Sequence, residues 1–166
     1  ALCHARRYDE ALVELREATR LRPRHAIAHW RLGEALRASC APAAALESLT
    51  IAAELAPDDA TAAAALLDAA QCELLLGHTS AAVGTLERAR KLDDSNPGVP
   101  RALGAALGHV PGREADAIAA CNAAVELSPG DPEVHAELGA ALARGGRCSS
   151  ALHSYRRAHA MATDAP

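Results

Sequence analysis

Five stretches of the chain repeat one pattern, and this repetition limits the fold more than any other feature. They are "YDEALVELREATRLRP" (8–23), "PAAALESLTIAAELAP" (42–57), "TSAAVGTLERARKLDD" (79–94), "READAIAACNAAVELS" (113–128) and "CSSALHSYRRAHAMAT" (148–163). Aligned, with the fourth shifted by one, they place Ala11, Ala45, Ala82, Ala117 and Ala151 in one ladder, and Ala18, Ala52, Ala89, Ala124 and Ala158 in a second. Leu15, Leu49, Leu86, Cys121 and Tyr155 fall between them. Within a copy the three positions are four and seven residues from the first, which sets them on one face of a helix. Successive copies are 34, 37, 35 and 34 residues apart.

Ahead of the last four copies lies a second helical segment, marked by Leu32-Gly33, Ala69-Ala70, Leu103-Gly104 and Leu138-Gly139. Each unit therefore reads as a helix, a tight turn and a helix, with Pro57, Asn96-Pro97-Gly98 and Pro129-Gly130-Asp131-Pro132 as punctuation. Small residues meet small residues across the pair: Gly33 is expected to face Ala45, Ala70 to face Ala82, Gly104 to face Ala117 and Gly139 to face Ala151, bringing the backbones close. Composition agrees, since half the residues are hydrophobic while aromatics make up 2%. That bulk is Ala and Leu, which favour helix, whereas strands enrich in β-branched and aromatic residues.

On these residues the chain resembles the tetratricopeptide repeat (TPR) family, with its period near 34 and its W-x2-L-G-x2-Y, A-x3-F, A, P pattern. "RLGEAL…AAALESLTIAAELAP" and "ELGAALARGGRCSSALHSYRRAHAMA" are the nearest copies. The resemblance implies an all-α, right-handed solenoid of antiparallel helix pairs, about four and a half repeats long. The expected units are a partial repeat over 1–23, repeats over 24–57, 58–94 and 95–129, and a last repeat with a tail over 130–166. "ALCHARRYDEAL" reads as entering the first unit at its helix-to-helix turn, and "AMATDAP" closes the last without an added polar helix. The expectation is a segment of a longer protein, or an array whose ends dock onto something else. Gly98, Gly104 and Gly108, with Pro100 and Pro111, mark the first helix of the fourth unit as the weakest, because an interior Gly costs about 1 kcal/mol relative to Ala.

Composition and motifs exclude several function classes. Formal charge is −4 and the basic residues are scattered, so the footprint that neutralises nucleic-acid phosphates is missing. No apolar run is long enough for membrane insertion; Ala60 to Ala70 is short and contains Asp68. Cys3, Cys40, Cys72, Cys121 and Cys148 lie far apart without a C-x-x-C pair, which suits reduced thiols used as small apolar residues and favours an intracellular, cytoplasmic setting. Cys121 replaces a ladder Leu, and Cys148 aligns with Tyr8 at a packing position, so both are expected to be buried. His25 and His29 stand four apart, but no carboxylate or Cys completes a metal site, and His25 at a helix mouth suits capping. Phosphate-binding loops and hydrolase motifs are also missing. The reading is of no enzyme and no cofactor.

What remains is binding. The TPR resemblance implies that the first helices of successive units line a groove for extended or helical peptides. On the first of them His29, Leu32, Gly33 and Leu36 form the packing stripe, so Ile27, Trp30, Glu34 and Arg37 form the neighbouring, groove-facing one. Its equivalents are Leu67, Gln71 and Leu74, then Arg101 and Ala105, then Glu133, Ala136, Ala140 and Arg144. Trp30, the one Trp of the chain, is the candidate anchor, either facing the groove or sealing a repeat boundary. The stripe lacks the Lys and Asn of chaperone-tail clamps, and the place where sugar-transferring TPR enzymes carry an Asn ladder holds Arg31, Asp68, Ala102 and Glu137. The expected function is a protein-interaction scaffold for a peptide or partner segment. Two alternatives stand beside it: a non-catalytic targeting arm of a larger enzyme, and a spacer that self-associates through exposed repeat ends.

Overall fold

The structure, a computed structural model, describes the backbone of residues 2–163 and the side chains of residues 10–163. Cys3 and Tyr8 lie outside the described side chains. Among the described residues there are nine helices: α1 (Leu2–Leu21), α2 (Ala26–Ala38), α3 (Pro42–Glu54), α4 (Asp59–Leu75), α5 (Thr79–Leu92), α6 (Gly98–Leu107), α7 (Glu114–Leu127), α8 (Pro132–Arg144) and α9 (Cys148–Thr163). There is no strand among the described residues. The stretch read as a turn ahead of Tyr8 is helical from Leu2 onward.

The helices fall into two compact units, Ala1–Asp93 and Asp94–Pro166. In the first, α2 pairs with α3 and α4 with α5; in the second, α6 pairs with α7 and α8 with α9. Local chemistry fixes the ends. The carboxylates of Asp58 and Asp131 accept the backbone N–H of Thr61 (2.7 Å) and Glu133 (2.8 Å), and His25 Nδ1 accepts that of Ala28 at 3.1 Å, satisfying donors that a helix start leaves open. Pro42 and Pro132 open α3 and α8, where a missing N–H costs nothing. The turn inside each pair passes through a left-handed residue: Gly77, Gly112 and Gly146 in three pairs, and Cys40, at φ 61°, in the other.

The ladder residues of α3, α5 and α7 are core, whereas Ala11, Leu15 and Ala18 of α1 stay partly open and Tyr155 of α9 is exposed. Ala45, Leu49, Ala52, Ala82, Leu86 and Ala89 in the first unit, and Ala117, Cys121 and Ala124 in the second, are buried. Gly33 lies so close to its partner that a Cβ there would meet Leu49 Cγ at 2.5 Å and the Ala45 carbonyl oxygen at 3.3 Å. Gly104 lies in the same way on Cys121 and Ala117. Gly139 instead rests on the Tyr155 ring rather than on Ala151, because the bulkier ladder residue of α9 fills the gap.

One expectation changes. Cys148 is exposed, as is Cys40: Cys148 opens α9 beside the turn, ahead of Ala151, the first buried residue of that helix. The three glycines around α6 hold different places. Gly98 is its first residue and Gly108 lies past its last, leaving Gly104 as the interior one, where absence of a side chain is what lets α7 approach.

Candidate functional site

Each first helix carries two adjacent stripes. One is buried: Leu32, Gly33 and Leu36 on α2, Leu66, Ala69 and Ala70 on α4, Leu103, Gly104 and Leu107 on α6, and His135, Gly139 and Leu142 on α8. The other holds the thirteen residues singled out from the sequence, and none of them is buried. Ile27, Glu133 and Arg144 are exposed; Trp30, Glu34, Arg37, Leu67, Gln71, Leu74, Arg101, Ala105, Ala136 and Ala140 are half-buried.

In the first unit Trp30 rests against the core formed by Leu12, Leu32, Leu36, Leu49, Ala69 and Cys72. Its indole Nε1–H donates to Asp68 Oδ2 on α4 at 2.7 Å. Arg37 Nη2 stands 4.0 Å from the other carboxylate oxygen. Two of the sequence-derived residues thus converge on an acid that sequence reasoning did not count among the groove residues. The signal was there: Asp68 is the one charged residue between Ala60 and Ala70. Glu34 is held on its own helix by Arg31 at 2.8 Å. Leu67, Gln71 and Leu74, spaced by four and three, run along one side of α4.

In the second unit Arg101 of α6 and Glu133 of α8 form an ion pair. Arg144 lays its guanidinium over Gly108 at the end of α6. Between them Ala105, Ala136 and Ala140 leave a small-residue surface. Each unit therefore ties its two first helices together with polar side chains and leaves an apolar or small-residue bed beside the tie.

A further element was missed. His29 Nε2–H donates to the Pro23 carbonyl at 3.0 Å, and His135 Nε2–H donates to the Pro129 carbonyl at the same distance. Both fasten the opening of a first helix to the turn before it. The shared Pro-to-His spacing of six residues in the two units was the available signal.

Burial pushes the Cys121 thiol up to about 11 and also raises that of Cys72, which keeps them as inert thiols near neutral pH. Among the described residues no three His, Cys, Asp or Glu side chains gather as a metal site. No described helix is long and apolar enough to cross a membrane.

The family model for the tetratricopeptide repeat matches residues 4–60 and 76–132. No curated protein matches the sequence. Among solved structures, a crystal structure of MamA is 21% identical with a TM-score of 0.81, over 94% of this chain and 89% of that one. A MamA fragment, 41-end, from Desulfovibrio magneticus RS-1 is 20% identical with a TM-score of 0.81, over 95% of this chain and 88% of that one. YrrB, described as a TPR protein with an unusual peptide-binding site, is 18% identical with a TM-score of 0.75, over 98% of this chain and 82% of that one. At these identities what is shared is the fold, an all-α solenoid of antiparallel helix pairs.

Proposed function

Because the chain belongs to the tetratricopeptide repeat family, we propose that it is a protein-interaction scaffold whose first helices, α2 and α4 in one unit and α6 and α8 in the other, take a peptide or partner segment. One observation carries the reading: Leu67 and Leu74 stay partly open on α4, with Gln71 between them and Trp30 on the neighbouring helix, while the adjacent stripe is buried. Apolar surface left open in this way gains free energy when a ligand covers it, at about 25 cal/mol per Å². Gln71 adds a donor and an acceptor suited to a peptide backbone. The helices are already tied through Asp68, so a ligand meets a formed surface and little ordering cost falls on the protein. The fold shared with YrrB, a peptide-binding TPR protein by its description, agrees with the reading.

The test is selection of binding peptides from a displayed library, followed by titration of the wild type and a Leu67→Glu, Leu74→Glu variant. Binding should weaken by at least about tenfold, with helix content by circular dichroism unchanged. Equal affinity for both proteins would contradict the proposal.

A further inference from the structure

Comparison of the four first helices isolates one residue of α4. Three residues past the small residue of each buried stripe stand Leu36 on α2, Leu107 on α6 and Leu142 on α8, all buried. The same count from Ala70 reaches Glu73. A carboxylate thus occupies a packing place, and its Oε2 is buried with no hydrogen-bond partner among the described residues. A Leu here would bury without cost, whereas a buried charged oxygen without a donor is destabilising.

Glu73 lines a hollow of about 170 Å³ between α3, α4 and α5, several times the ~30 Å³ share of one water. Leu46 and Ala53 of α3 and Leu66 of α4 give it an apolar wall. Thr50 and Thr85 bring hydroxyls to it. That of Thr50 already donates to the Leu46 carbonyl at 2.8 Å, so what its oxygen has left to offer is a lone pair. Among the charged groups of the lining, Glu54 and Glu73 face a single cation, Arg88, which is exposed and leaves Oε2 unsatisfied. The hollow therefore carries excess negative charge and acceptors.

We propose that this hollow binds a primary alkylammonium group. Three N–H donors and no acceptor match the orphaned Oε2 and the threonine oxygens, and the positive charge offsets a carboxylate that has no partner of its own. The methylenes behind the ammonium suit the Leu46, Ala53 and Leu66 wall. A divalent cation does not fit, because among the described residues no three His, Cys, Asp or Glu side chains gather. A guanidinium is the poorer match: its planar fork pairs with both oxygens of a carboxylate, and here one oxygen is orphaned. A partner's lysine side chain and a small free amine present the same group. The site shares no residue with the Leu67–Leu74 surface and does not depend on it.

n-Butylammonium chloride is titrated into the full chain and followed by backbone amide chemical shifts, beside n-butanol and sodium chloride. Saturable shifts are expected at Leu66, Ala69, Glu73 and Thr85, with neither control reproducing them. Glu73→Gln, which keeps the shape and removes the charge, should weaken binding at least about tenfold. Glu73→Leu, the residue of the other three helices, should do the same and guards against poor folding of the first variant. Leu67→Glu should leave binding unchanged. A capped lysine, Nα-acetyl-lysine methylamide, separates the sources. Binding at least as tight as that of butylammonium assigns the group to a partner's lysine, weaker binding assigns it to a free amine, and either supports the proposal. No saturable shift, equal effects of n-butanol or sodium chloride, or binding indifferent to both Glu73 variants would overturn it.

Discussion

At Cys40 the backbone takes φ 61°, the conformation for which the other three inter-helix turns use Gly77, Gly112 and Gly146. An L side chain in this region costs about 1–2 kcal/mol, and the unfolded-state freedom of Gly offsets about half of that. Cys40 is exposed, so its thiol contributes no burial in return. Cys40→Gly should therefore raise stability by about 0.5–1 kcal/mol in urea unfolding; a loss of stability would show that the thiol makes a contact of its own. Gly33 was legible from sequence because a small residue recurs opposite the Ala ladder. The strain at Cys40 was not, because the sequence there reads as an ordinary loop until the turn is laid over its three glycine counterparts.

Helices are legible because their apolar period is local; the ties between them are not. The Trp30–Asp68 hydrogen bond joins residues 38 apart, beyond the reach of any periodicity. A hydrogen bond to a charged group contributes about 1.5–3 kcal/mol, so Trp30→Phe, which keeps a ring but removes the donor, should destabilise the protein by that amount in thermal or urea unfolding. No change would mean that the indole serves the surface alone. The α6 helix makes the opposite case, in which a local rule meets its tertiary setting. Counting glycines predicts weakness, yet Val99, Pro100, Leu103, Gly104, Ala106 and Leu107 are buried. Hydrogen exchange over 100–109 should thus show protection equal to that of α7; rapid exchange there would restore the weak-helix reading.

For the whole molecule, the division between Asp93 and Asp94 sets α1–α5 apart from α6–α9. The ladders fixed which face of each helix is inside, and from that followed which face is left over. What occupies the left-over face was less legible, because its residues are not held to the packing period: Leu67 and Gln71 look unremarkable until the buried stripe beside them is known. The central claim is that this open stripe of the first helices is the binding surface. It is tested most directly by mapping backbone amide chemical shifts of the protein on addition of a peptide selected from the displayed library. Shifts centred on α2 and α4, or on α6 and α8, and including Leu67, Gln71 or Ala105, are the predicted result. Shifts confined to α3, α5, α7 and α9 would contradict it.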